Sequence, residues 1–386
     1  MRWRSLEAGE SASTERRNTV NAVKQDARRD KRKKQSYHLR GFINSSVYGV
    51  SVAMGFILYY TGLFRVVQIL NGNQFRILVY HDVGAENDRV IRGLNVSVQP
   101  RYFEKQMRFL KKYYRVISTE EFLHCIENGK SLARAVVITF DDGFRTNYLN
   151  AYPVLKKYNI TATIFIATDF IDNTKLMWNH KLAYIFSREP MKLYEALKAH
   201  VSDETLRHTV SRQDVETWFF SNYSKKLVAE IIDKALNELK VDEKSVAAQA
   251  KLYLTWEEVR TMGKDGIIFG NHSQSHPVLS KLSEDEQEEE IVGAKTCLEK
   301  ELRQKTVPFS YPFGEEMHSS ELTVKLIKKS VHSGIFKVGG ETDAYGFARI
   351  PIFASREYAF FANIELYPML KSGIKKLVAI GKQFLN

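Results

Sequence analysis

The chain has 386 residues, 44% hydrophobic and 26% charged, enough for one barrel-sized domain or two ordinary ones, which excludes a mostly disordered or collagen-like protein. The formal net charge is +12, but residues 1–40 hold twelve Lys/Arg against five Asp/Glu, leaving only +5 for the other 346 residues. A basic tail on a nearly balanced body gives no reason to expect a nucleic-acid partner, and the two cysteines, Cys125 and Cys297, offer neither a disulfide framework nor a metal-type spacing.

In chain order, residues 1–40 are polar and without apolar periodicity and read as a disordered basic tail. Residues 41–64, "GFINSSVYGVSVAMGFILYYTGLF", carry no charge over 24 positions. Roughly 20 residues cross a bilayer as a helix, so a single transmembrane anchor is expected here. The Lys/Arg before it would hold the N-terminus in the cytoplasm and place the remainder on the periplasmic or extracellular side. A helix packed on the folded body is the alternative. From residue 75 short apolar runs alternate with helical patterns. "FRILVYH" (75–81), "AVVITF" (135–140), "TATIFIA" (161–167), "GIIFGN" (266–271) and "VPFSY" (307–311) read as strands, with helices over 103–114, 149–158, 284–303 and 320–330. That alternation implies parallel pairing and an α/β fold. Residues 178–250 break it as a helical insertion, whose His180, His200 and His208 are expected at the surface. Residues 356–386 form a basic amphipathic helical segment, open between a membrane surface and packing on the body.

Chemistry-bearing residues follow the strands. "ILVYHD" ends in His81 and Asp82, "VVITFDD" in Asp141 and Asp142, "GIIFGNHSQSH" leads to His272 and His276, and "VPFSYPFG" runs into a Pro-Phe-Gly turn. The C-terminal ends of parallel strands are where α/β barrels and open sheets build active sites. His272 and His276 are spaced i, i+4, which on a helical turn puts both imidazoles on one face. With Asp142 they make a two-His-one-carboxylate set that leaves a position open for water. A shared cation would also offset the repulsion between adjacent carboxylates and leave Asp141 free to accept a proton. Gly143 permits the turn that carries both to the rim. Taken alone, Asp-Asp-Gly is equally a turn that caps a following helix.

At this point the sequence resembles the metal-dependent polysaccharide deacetylases with the NodB homology domain, carbohydrate esterase family 4. "TFDDG" (139–143), "HSQSH" (272–276) and "YPFG" (311–314) are similar to its first three motifs, and the likeness runs over residues 75–355, in the branch with an N-terminal Tyr-His-Asp. The resemblance implies a distorted (β/α) barrel, with Asp141 as catalytic base and Asp142, His272 and His276 as metal ligands. It also implies a backbone N–H at Phe313 directed at the oxyanion, with Tyr311 and Pro312 beside the substrate. Two features of the family's pattern are missing. "VPFSYPFG" lacks the arginine that orients the base, and Arg349 in "ARIPIF" is the stand-in, unless it is a surface charge. The C-terminal Leu-x-His that supplies the acid is absent, and His81 is nominated, with a structural hydrogen-bonding role as its alternative. The activity so implied is removal of N-acetyl groups from an acetylated, glucosamine-type polysaccharide with one divalent ion, zinc first and cobalt or nickel as alternatives. A related metal-dependent esterase or amidase, and a catalytically silent carbohydrate-binding protein, are the competing readings.

Overall fold

The computed structural model of the chain describes residues 46–373, apart from 73, 85–89, 92, 201–210, 305 and 353–355. The basic tail, His208 and the end of the C-terminal segment lie outside the described residues.

Eight short strands build the core: β1 Arg76–Tyr80, β2 Arg115–Ile117, β3 Ala135–Phe140, β4 Thr163–Ile166, β5 Ile268–Asn271, β6 Phe309–Ser310, β7 Ile335–Val338 and β8 Phe347–Pro351. All the strand pairings are parallel. β1 pairs with β3 from Arg76 opposite Val136 to Tyr80 opposite Phe140, and with β8 at Leu78 opposite Ile350. β1 thus closes a ring of seven strands, β1-β8-β7-β6-β5-β4-β3. β2 stays outside the ring, pairing with the first half of β3 while β4 takes the second half.

Every residue of β1 and β3 is buried, as parallel strands covered on both faces should be. One parity of β3, Val136, Ile138 and Phe140, faces outward onto Phe103, Met107 and Leu110 of the helix Pro100–Tyr113. The other parity, Ala135, Val137 and Thr139, continues into Asp141. Ala135 and Val137 pack with Phe165, Phe336 and Phe122, the last from the helix Thr119–Glu127. Three strands, β2, β7 and β8, had no counterpart among the expected strands. Each has only three to five residues and follows a helix or glycine closely, so little period of two can develop in its sequence.

Within 178–250 the described residues are helical, beginning with Trp178–Phe186 and ending with Glu243–Ala250. Leu182, Ile185, Phe219, Ile231 and Leu236 of this insertion share one apolar cluster with Phe309 and Tyr311 of the barrel. At the N-terminal end, a helix over Ser46–Tyr60 gives way to a second over Phe64–Leu70 at 112°. Gly62, at φ +78°, lies in the break between them. Among the described residues the stretch expected as one membrane-crossing helix over 41–64 is broken after Tyr60, and no single helix there is long and apolar enough to cross a membrane, although the bent pair together has the length and composition to do so. Part of the pair packs on the body. Phe64 and Val67 enter the core, and a Cβ at Gly55 would lie 2.7 Å from Cβ of Ala362. The C-terminal helix that receives them is itself seated on the barrel by Phe360, Phe361 and Ile364, with Glu365 ion-paired to Arg76 at 2.7 Å.

Candidate active site

Asp141 leaves β3 on the inward parity and meets Arg349 from the middle of β8. The guanidinium grips the carboxylate with both arms, Nη1 to Oδ1 at 2.7 Å and Nη2 to Oδ2 at 2.6 Å. Nη2 also donates to Ser310 Oγ at 2.6 Å and Nη1 to Thr139 Oγ1 at 3.2 Å, while the group lies over the ring of Phe165. Arg349 is 1% exposed. It is thus a buried, bidentate partner of the carboxylate rather than a surface charge. Burial alone raises the Asp141 pKa, but the Arg349 charge, with His272 behind it, holds the carboxyl below its ordinary value.

Asp142 adopts φ +71°, as does Gly143 after it, and both carboxylates approach one imidazole nitrogen, His272 Nε2, at 4.0 Å from Asp141 Oδ2 and 3.4 Å from Asp142 Oδ1. Asp142 Oδ1 lies 3.4 Å from His272 Nε2 and 3.2 Å from His276 Nε2, and one ligand atom from each of the three residues falls within 4.8 Å of the others. Burial pushes Asp142 up, yet its hydrogen bonds to His272 and His276 keep it well below the usual carboxylate range.

The two histidines do not share a helical face, contrary to the i, i+4 reading. "HSQSH" is a loop in which Ser273 and His276 take φ +67° and +55°, ruling out a continuous helical turn. Its shape comes from local side chains. Asn271 Oδ1 accepts from Ser273 N at 2.7 Å and Ser273 Oγ accepts from His276 N at 3.1 Å. His272 Nδ1 lies 2.8 Å from the carbonyl of Ser310. A carbonyl only accepts, so Nδ1 donates to it, and Nε2 is the nitrogen directed at Asp142: protonated, it donates to that carboxylate, and deprotonated, it would be the ligand atom for an ion. The donor set fits a divalent ion of the kind bound by imidazole and carboxylate. His276 is held differently, its ring edge-on to Phe313 at 4.5 Å and its carbonyl accepting from Trp178 Nε1 at 3.1 Å.

His81 follows β1 directly and is half-buried. Its carbonyl accepts from Asn147 Nδ2 at 2.8 Å, and its charge contributes to holding both Asp141 and Asp142 low. Phe313 sits at φ +63° in the turn after β6 and carries an aromatic ring over His276. Pro312 is buried, and so is Tyr311, whose hydroxyl donates to the Tyr345 carbonyl at 2.8 Å. His180 is a correction to the surface expectation. It is 1% exposed, stacks on Tyr253, and its Nδ1 lies 2.7 Å from that hydroxyl. Burial lowers its pKa to about 4. Sequence reasoning also missed Ser310, which binds both Arg349 and His272; its place at the end of "VPFSY", on the same barrel edge, was the available signal.

A sequence profile of the family described as "Polysaccharide deacetylase" matches residues 128–331. A poly-beta-1,6-N-acetyl-D-glucosamine N-deacetylase of Staphylococcus epidermidis is 30% identical over 184 residues, 46% of this chain and 61% of that protein. A protein of the same name from Staphylococcus aureus is 39% identical over 102 residues, 26% of this chain and 34% of that one. The chain therefore spans less than two thirds of the length of these curated relatives. Among solved structures, the Streptococcus pyogenes deacetylase PplD in complex with acetate is 21% identical with a TM-score of 0.48, covering 72% of this chain and 92% of that one. IcaB from Ammonifex degensii is 17% identical with a TM-score of 0.48, covering 76% and 98%.

Proposed function

The chain belongs to the polysaccharide deacetylase family, and from that premise we propose that it hydrolyses N-acetyl groups on a glucosamine-type polysaccharide, the β-1,6-linked polymer named in its relatives first among them. The observation that carries this reading is the convergence, at one barrel mouth, of an arginine-held carboxylate with a separate His/His/Asp group. Asp142, His272 and His276 would hold one divalent ion, with zinc first and cobalt or nickel as alternatives. When bound, such an ion supplies Lewis-acid polarisation of the acetamide carbonyl.

The remaining work falls to the chain. Asp141, kept ionised by Arg349, takes a proton from the attacking water. The backbone N–H of Phe313, presented by the Tyr311-Pro312 turn, donates to the developing oxyanion, a contribution typically worth ~3 kcal/mol. His81 in its protonated form gives a proton to the departing amine, which cannot leave as an anion. Acetate and a free amine result. The test is acetate release by the full chain from β-1,6- and β-1,4-linked N-acetylglucosamine oligomers, before and after chelation and zinc repletion. Release from the β-1,6 oligomer that chelator abolishes and zinc restores is the expected result. Cleavage of a simple aryl acetate with no release from either oligomer would favour the esterase reading. Binding of the oligomers without turnover would favour the silent carbohydrate-binding one.

We also infer that residues 46–70 place the chain on a membrane by lying in one leaflet. Phe56, Ile57, Tyr60, Leu63, Ile69 and Leu70 on the bent helix pair are all at least half exposed, an apolar surface contiguous in sequence with the +7 tail of residues 1–40. An apolar face beside a basic segment suits an anionic bilayer surface. The full chain should co-float with phosphatidylcholine vesicles containing phosphatidylglycerol, and Ile57→Glu with Ile69→Glu should abolish this. Flotation unchanged by the double substitution, or self-association without vesicle binding, would overturn it.

A further inference from the structure

The helical insertion reaches the His272–His276 loop at two points. Trp178, the first residue of its first helix, donates Nε1–H to the His276 carbonyl at 3.1 Å. The second contact is relayed. Glu290, from the barrel helix Glu284–Leu302 and 2% exposed, accepts on Oε2 from Gln274 N at 3.0 Å and Ser275 N at 2.8 Å. Its Oε1 accepts from Ser275 Oγ at 2.5 Å. A carboxylate at that depth is expensive without a cation, and Lys225 of the insertion supplies one, its Nζ 3.1 Å from Oε1. Phe220, also of the insertion, lies on Phe313 at 4.8 Å, and Phe313 lies on His276.

The loop needs such support. Two of its five residues, Ser273 and His276, hold left-handed backbone that L side chains disfavour. Within the loop His276 N is bonded to Ser273, whereas the amides of Gln274 and Ser275 depend on Glu290.

We propose that the insertion is a positioning element for the metal-ligand loop: Lys225 acting through Glu290, and Trp178 acting on the His276 carbonyl, hold the backbone turn that aims both imidazole Nε2 atoms at Asp142. The consequence for metal affinity rests on the ion-binding reading above; the consequence for the loop does not. Lys225 is 42% exposed at its side chain, so its replacement leaves the core intact. Lys181 is the control, since its ammonium pairs with Asp233 and Glu243 inside the insertion rather than with Glu290.

Two measurements on the full chain test this. In the metal-free protein, amide hydrogen exchange over residues 271–278 should quicken about tenfold in Lys225→Met and Trp178→Phe, and Lys225→Arg should restore it. Binding of Co²⁺ alone, followed by its visible absorption, should weaken about tenfold in the same variants with an altered spectrum, the scale typical when groups behind the ligands are removed. Lys181→Met should lower the melting temperature without either effect. Loop exchange unchanged in Lys225→Met, or changed equally in Lys181→Met, overturns the proposal. If even the unsubstituted protein binds no Co²⁺ while the exchange responds as stated, the ion-binding reading falls and the positioning role stands.

Discussion

The pairing of Arg349 with Asp141 joins residues 208 positions apart, and each is tuned by the other. A buried carboxylate stripped of its cation is strongly destabilising, on the order of 3–5 kcal/mol. Arg349→Met is therefore expected to lower the melting temperature sharply. Arg349→Lys, which keeps the charge but loses the two-armed grip, should retain the fold and lose turnover by about 100-fold, the lower end of what a positioned base contributes. Acetate release with the two variants indistinguishable would show that charge alone, without geometry, matters. Asp141, Asp142, His272 and His276 were legible in sequence because each group is contiguous within five residues and follows an apolar run. Arg349 was legible only through a resemblance that showed where an arginine was missing. Ser310 carries no such signal, since a serine at a strand end is ordinary until its neighbours are known.

At the scale of the element, the turns matter more than the strands. Asp142 and Gly143 both take positive φ, and a Cβ at Gly143 would stand 2.8 Å from Ile166 Cγ2 on β4. Gly143→Ala thus combines backbone strain with a clash. It should cost at least about 1 kcal/mol in stability and also weaken ion binding, because Asp142 rides on the same turn. A melting temperature equal to that of the unsubstituted protein would contradict this. The strands β1, β3, β4 and β5 were readable from β-branched and aromatic runs of four to six residues. The "HSQSH" loop was misread because a spacing of four suits a helix, while Asn271 and Ser273 redirect the backbone by hydrogen bonds that no periodicity records.

Across the whole molecule, buried histidines set the response to acid. Burial lowers His180, His318 and His332 each to about 4, against an ordinary value near 6.5. The unfolded chain binds protons at these sites that the folded chain refuses, so their contribution is present above about 6.5 and is lost as pH falls toward 4. His272 runs in the opposite sense: burial lowers it, but Asp141 and Asp142 raise it more, so its contribution is full below its unfolded value and fades as pH rises. Burial lowers His276 as well, so with four against one the metal-free protein should melt at progressively lower temperature from pH 6.5 to 5, and His180→Phe should flatten that slope. A slope unchanged by the substitution would remove His180 from the account. The barrel as a class of fold followed from alternating apolar runs and helices. Its closure did not, because the pairing of first and last strands is a contact between distant parts of the chain with no local trace.

That closure has a temporal consequence. β8 is the last strand of the ring and also carries Arg349. A chain emerging from the ribosome already contains Asp142, His272 and His276 once residue 276 has been made, but the arginine that fixes Asp141 is still missing. On the proposed mechanism, the base gains its orienting partner only when the final strand slots between β7 and β1, so shorter, partly folded forms of the chain should lack turnover, and completing the barrel and switching on the chemistry should be one event.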